Sequence, residues 1–255
     1  MWKIWGYNAA EYDLINIYNK LPEVPPELAV DTANFQQDVA VNYLPPTINL
    51  LYRLEKIRRW LDWPITSLKF TVMLKLPAIA ADLITIWLIG HIVKERTKKY
   101  SAALLSASIY ALHPTIAFLS AGFGQVDSIY TLLLVLAVWQ LTKNKFLSSV
   151  AWLTAAYFFK MQTMAVFPLF IFIFLSQSSI WLIVKAAAVG LVTASLINLP
   201  FSVTGKFNFL SSIFTNLGHF PVISSYAFNL WWIIVAANRS ILSDDSLYLL
   251  GIPLM

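Results

Sequence analysis

The sequence predicts an all-α, polytopic integral membrane protein with five or six transmembrane helices and an extracytoplasmic N-terminal loop region. Three observations carry that prediction. The chain is 58% hydrophobic and only 12% charged, where soluble domains carry about 25% charged residues. Its apolar residues fall in blocks at 76–93, 102–119, 124–141 and 180–199, each at or near the roughly 20 residues that cross a bilayer core of about 30 Å. Basic residues fill alternate short loops between the blocks, the pattern that orients a chain in a membrane.

Residues 1–66 hold no span and are predicted to be an extracytoplasmic loop of mixed charge. "LPEVPPE" at 21–27 breaks any helix there, because each proline fixes φ and removes a donor. From Thr47, "TINLLYRLEKIRRWLDW" puts Leu51, Leu54, Ile57 and Leu61 on one helical face, and Arg53, Lys56, Arg58 and Arg59 mostly on the others. That pattern predicts an amphipathic helix in the membrane interface; packing on a neighbouring soluble element is the alternative.

Residues 67–200 are predicted to form the transmembrane bundle. "VKERTKKY" after the first span carries four basic residues and one acid, and "TKNK" at 142–145 carries two basic residues. The turns at 113–124 and 200–204 carry none. Positive-inside bias therefore puts 94–100 and 142–146 in the cytoplasm, and 1–66, 113–125 and 200–230 outside. Lys185 lies one turn into its span, within snorkelling reach. Residues 146–175 are too long for one span and short for two. Parity favours two short helices with an outer turn at 160–162; one long helix with a buried lysine is the alternative. Residues 201–238 form a predicted extracytoplasmic aromatic loop, whose Tyr226, Phe228, Trp231 and Trp232 suit a membrane–water boundary. Residues 239–255 read as the start of a further membrane segment, cut short, since no span can end in lipid with its backbone unsatisfied.

Several chemistries are excluded. With no cysteine there are no disulfides, thiolate metal sites or cysteine nucleophiles. His91, His113 and His219 lie far apart without ligand spacing, so no metal or cofactor is expected. The net charge of +5 sits largely in topology-setting loops, so the lipid bilayer is the expected partner and nucleic acid is not. The polar, aromatic N-terminus is no signal peptide.

Polar residues gather on one side of the predicted topology. His113, Gln125, Asp127, Lys160, Gln162 and Asn198 fall at outer helix ends, and Lys75 and Asp82 in the outer part of the first span. Asp38, Asn42, His219 and Asn229 lie in outer loops. An intramembrane charge costs about 2.5–3.5 kcal/mol on insertion scales and usually marks a functional path. In "GFGQVDSIYT", Gln125 and Asp127 either line such a path or only anchor a helix, since Asp127 in a first turn is favoured by the helix dipole.

These residues also carry a resemblance. "GFGQVDSIYTLLLVLAVW" resembles the Gly-Gln-X-Asp stretch of bacterial GT-C-type membrane glycosyltransferases, relatives of the GPI-anchor mannosyltransferase acting on the second mannose. "KLPAIAADLITIWLI" is similar to their Lys-X-Pro-X-X-X-X-Asp span. "FFKMQTMAVFPLF" resembles their Lys-Pro-Gln turn, with Met161 in place of proline. "SSYAFNLWW" resembles their Ser-X-Asn-Ala-Phe-Asn-Leu-Trp loop, with Tyr226 for the first asparagine. "NYLPPTINLLY" is similar to their Asp-Tyr-Pro-Pro motif, with Asn42 for the aspartate and an inserted leucine. The likeness covers residues 1 to about 235, in the family's order.

The resemblance implies a GT-C-like fold in the cell membrane, with the active face extracytoplasmic. It implies hexosyl transfer, most often of mannose, from a polyprenyl-phosphate sugar to an extracytoplasmic glycan, lipid or protein acceptor. A carboxylate would act as base on the acceptor hydroxyl, and cations and amides would hold the phosphate leaving group. Lys160 and Lys75 are the phosphate candidates, with a snorkelled lysine and an intrahelical partner for Asp82 as their structural alternatives. Gln125, Asp127, Asp82, Gln162, Asn42 and Asn229 are the other substrate-binding candidates. The family's usual base follows a first transmembrane helix, and "MWKIWGYNAAEYDLINIY" is similar to the sequence just after it. The chain therefore reads as incomplete at both ends and is expected to be inactive alone, with Asp38 the substitute base. The rival readings are a transporter or flippase-like protein and a degenerate, non-catalytic membrane protein.

Overall fold

The structure, a computed structural model, describes residues 1–18, 23–28, 41, 43–177 and 179–202, all within one compact unit, Met1–Phe207. Among them there is no strand. The predicted segment 239–255, and the aromatic loop beyond its first two residues, lie outside the described residues.

The N-terminal region contains the amphipathic helix expected from Thr47 and one more helix before it. Helix α1 (Trp2–Asn16) packs along α2 (Pro45–Trp60). Helix α2 opens on Pro45 and Pro46, whose fixed φ suits a first turn and whose missing N–H groups would have no helical partner there. Trp5, Ala9, Ile48 and Leu51 are buried together, and Phe201 joins them from the last described helix. Gly6 allows the close approach, since a Cβ there would stand 3.2 Å from the Leu51 carbonyl oxygen. The amphipathic face of α2 is therefore divided. Leu51 and Leu54 are buried, whereas Ile57 and Trp60 stay exposed.

Charge is handled locally in this region. Glu55 is fully buried but accepts from Arg58 Nε at 2.8 Å and Nη2 at 2.7 Å, and from Arg59 Nε at 2.8 Å. Arg59 also reaches Glu11 at 2.7 Å, tying α2 to α1. A buried carboxylate is tolerable only with such pairing. Asn8, also fully buried, donates to the Ile4 and Glu23 carbonyls at 2.8 and 2.7 Å and accepts from the Glu23 N–H at 2.8 Å. Through it α1 holds the 23–28 segment.

Ser67 caps α3 (Leu68–Thr97) by accepting from the Phe70 N–H at 3.3 Å, and Lys98 ends it in the left-handed region at φ 59°. Helix α4 (Tyr100–Ala111) is followed by the short α5 (Pro114–Ala117). The predicted 102–119 span is broken between them by a 50° bend. Pro114 is the cause, because a residue before proline is pushed out of the α region, and His113 is extended at ψ 116°. Helix α5 runs into a wide π turn, Phe118–Phe123, that stops at Gly124.

Then come α6 (Asp127–Thr142), α7 (Phe146–Phe159), a 3-10 turn Met161–Val166, α8 (Phe167–Gln177) and α9 (Ile180–Ser202). Residues 146–175 form two helices, parted where Lys160 is extended at φ −153°. Tyr157 meets Phe167 at 5.6 Å near one end and Phe146 meets Phe174 at 5.3 Å near the other, so the pair runs antiparallel. The α6–α7 hairpin is stitched by the buried Ser149 hydroxyl, which donates to the Ala137 carbonyl at 2.7 Å.

Helices α3 and α9 are long and apolar enough to cross a membrane, and the bent α4–α5 pair makes a third if taken as one span. Helices α6 and α7 and the Met161–Ser176 stretch are apolar but shorter. Leu83, Trp87, Leu191 and Leu196 are each more than 60% exposed. Apolar surface of this extent suits a lipid solvent and is unusual in water.

Candidate functional site

The most constrained polar cluster lies where α6 begins and α7 ends. Asp127 stands in the first turn of α6, where the helix dipole favours a negative charge. Lys160 follows the last residue of α7, where a cation is favoured for the converse reason. The hairpin brings these ends together, and Lys160 Nζ donates to Asp127 Oδ1 in a salt bridge. The two side chains are 18% and 19% exposed. The pair is thus largely shielded. The ammonium also lies over the Tyr130 ring, 5.5 Å from its centroid, a cation–π contact.

Tyr43 lies within electrostatic reach of Asp127. Its phenol is pushed up to about 12, first by burial and then by the nearby Asp127 charge. Its ring meets Trp2 at 5.1 Å and Trp5 at 5.6 Å, and its carbonyl accepts from the Tyr18 hydroxyl at 2.8 Å.

Lys75 sits beside the turn that leads into Asp127. Its Nζ donates to the Ala121 carbonyl at 2.8 Å and the Gly122 carbonyl at 2.6 Å. These carbonyls belong to the last turn of the π segment, where helical acceptors lack intrahelical donors. The lysine stem passes so close to Gly124 that a Cβ there would come within 2.9 Å of Lys75 Cγ. Gly124 also has φ 71°, a conformation that costs other L-residues roughly 1–2 kcal/mol. Only glycine satisfies both conditions cheaply.

Lys75 does not pair with Asp82, although seven residues place both on one helical face. Asp82 is buried and accepts from the Tyr110 hydroxyl of α4 at 3.0 Å. Gln125 is half-buried, and its N–H donates to the Leu119 carbonyl at 3.0 Å. Gln162 is exposed in the 3-10 turn. Asn198 is buried and donates to the Ala194 carbonyl at 2.7 Å. His113 caps α5 at the surface. Asp38, Asn42, His219 and Asn229 lie outside the described residues. The structure therefore sets Lys75 against the 121–124 turn that leads into Asp127, pairs Asp127 with Lys160, and gives Asp82 a separate partner in Tyr110.

Sequence reasoning missed Tyr43, Tyr130 and Tyr110 as partners. Tyr130 was findable, because i+3 spacing puts it on the face of Asp127. Tyr43 lies inside a motif already quoted. Tyr110 gave no signal. Among the described residues, no three His, Asp or Glu side chains gather as they would round a metal.

Chemically, the site offers one shielded ammonium held by one carboxylate. An arriving phosphate oxygen would compete with Asp127 for Lys160 and free the carboxylate to accept from hydroxyl groups. No protein-family model matches the chain, and no curated protein or solved structure does either.

Proposed function

We propose that this chain is the body of a membrane glycosyltransferase that moves a hexose, most often mannose, from a polyprenyl-phosphate sugar to an extracytoplasmic acceptor. The observation that supports the reading is convergence. Three of the five stretches that resemble the GT-C-type enzymes meet through Lys75, Gly122–Asp127 and Lys160, and a fourth sets Tyr43 within electrostatic reach of Asp127. The fifth, around Asn229, lies outside the described residues.

In this reading Lys160 takes the donor phosphate, and Asp127 and Gln125 accept from and donate to sugar hydroxyls. Lys75 braces the turn and does not touch the phosphate. The acceptor oxygen attacks the anomeric carbon, the carbon–oxygen bond to phosphate breaks, and the phosphate leaves with the electron pair. The proton passes to a carboxylate, for which Asp38 stands as candidate. Proton removal of this kind contributes about 10²–10⁴-fold.

The test is a melting assay in detergent with and without polyprenyl-phosphate mannose, since a ligand of the folded state stabilises it by RT ln(1 + [L]/Kd). The wild type should shift, Lys160→Met should not, and Asp127→Asn should shift less. Equal shifts in all three overturn the reading. A transporter is the second reading, favoured by the bend between α4 and α5 and by Asp82 buried within α3. Broken helices and intramembrane carboxylates mark transport paths. A ligand shift lost only on Asp82→Asn would favour it.

A further inference from the structure

The end of the bundle opposite Asp127 concentrates positive charge. Residues 94–99 contribute four basic side chains, the 143–145 turn two and the start of α9 one, against the single acid Glu95. Glu95 and Lys143 bring the first two groups side by side, with Lys143 Nζ 3.1 Å from Glu95 Oε1. Trp139 Nε1 donates to the other carboxylate oxygen at 3.4 Å. That consumes the only acid. Arg96, Lys98, Lys99 and Lys145 are exposed and make no ion pair among the described residues.

Aromatic rings sit among the basic groups at this end. Trp87 stacks on His91 at 5.3 Å and 17°, and His91 meets the Trp139 ring edge-on at 5.7 Å. Trp139 in turn carries Lys143 over its face at 4.0 Å. On α9, Lys185 lies 5.7 Å from the Trp181 ring. Trp87 and Trp181 are 64% and 65% exposed. Tryptophan prefers the headgroup level, so the rings set the depth at which the basic groups sit.

We propose that this end is a binding surface for anionic phospholipid headgroups. The proposal rests on the reading of α3 and α9 as membrane-crossing helices and is independent of sugar transfer. Charge complementarity selects the occupant. Four to eight basic residues at the end of a membrane helix attract anionic lipid, with roughly a fivefold gain for each charge near the surface. A zwitterionic headgroup offers a phosphate but brings its own cation, which these side chains repel. The exposed tryptophan surface favours a partner with acyl chains beneath its phosphate.

The experiment uses the full chain in mild detergent, titrated with phosphatidylglycerol or phosphatidylcholine, with retained lipids counted by native mass spectrometry. Phosphatidylglycerol should be retained at least tenfold over phosphatidylcholine. The triple variant Arg96→Gln, Lys99→Gln, Lys145→Gln should fall to near parity, and Arg96→Lys, Lys99→Arg, Lys145→Arg should keep the preference. If the glutamine variant does not fold, the wild type at about 1 M salt replaces it, where screening acts within about 3 Å and the preference should collapse. Equal retention of both lipids, or a preference unmoved by charge removal and by salt, overturns the proposal. Retention of neither lipid overturns the membrane reading as well.

Discussion

Gly124 and Lys75 should be energetically coupled, and the size of the coupling follows from the geometry. Gly124→Ala forces alanine to φ 71°, at roughly 1–2 kcal/mol. It also sets a Cβ 2.9 Å from Lys75 Cγ, so the lysine must withdraw from the Ala121 and Gly122 carbonyls at 2.8 and 2.6 Å. Hydrogen bonds from a charged donor are worth about 1.5–3 kcal/mol each. Access of solvent or headgroups reduces the pair to about 1–2 kcal/mol here. The wild-type cost of Gly124→Ala is therefore about 2–4 kcal/mol. In a Lys75→Ala background the colliding atom and the donor are already gone, and only the backbone term of about 1–2 kcal/mol remains. The double-mutant cycle should show about 1–2 kcal/mol of coupling, measured by denaturant unfolding in micelles. Contacting residues commonly couple by 0.5–3 kcal/mol, and independent sites add within about 0.3–0.5 kcal/mol. Additivity within that margin would refute the brace.

Three further outcomes are expected. Glu55→Gln should destabilise the N-terminal helix pair by about 3 kcal/mol, because it strips the buried charge partner from Arg58 and Arg59; chemical denaturation reads the loss. Tyr43 is raised to about 12, above the ordinary phenol value of about 10. Its contribution is thus complete below pH about 10 and lost as pH rises through about 12, so Tyr43→Phe should flatten part of the alkaline decline in melting temperature. Because the chain has no cysteine, Lys98→Cys and Gln162→Cys can be labelled singly with an impermeant maleimide. The two sites should react from opposite faces of a sealed membrane, and labelling of both from one face sinks the topology.

The helical, membrane-compatible class was legible because hydropathy blocks report directly on burial in lipid. The parting at Lys160 was legible from length alone, since 146–175 fits neither one span nor two comfortable ones. The gathering of Asp127 and Lys160 was legible from parity, because helix ends on one side of a hairpin must approach. Pairing partners were not legible. Seven-residue spacing makes Lys75 and Asp82 look like a couple, yet each finds a nearer partner on another segment, the 121–122 carbonyls and Tyr110. Helix α1 was missed because its aromatic and polar residues are mixed round the helix, and its stability comes from packing on α2, which no local pattern encodes. The bend at His113 falls where the 113–124 turn was expected, although the apolar block was drawn past Pro114 to 119.

If α6 crosses the membrane, as the proposed topology has it, its length has a consequence for membrane thickness. Glu95 and Lys143 pin the two helices at one level. From that level α6 runs 16 residues to Asp127, about 24 Å at 1.5 Å per residue. The hydrocarbon layer is about 30 Å deep. With the pinned level at one edge of that layer, the Lys160–Asp127 pair lies about 6 Å beneath the opposite edge. On that topology the bilayer would thin there or the flanking side chains would snorkel, as happens around short helices. A ligand with an acyl or isoprenoid tail then meets the lysine by sinking its headgroup, while a freely soluble ligand must leave bulk water to do the same. On the proposed topology and function, bilayer thickness would become a determinant of access to the site. Lipids with longer chains should close it, and lipids with shorter chains should open it.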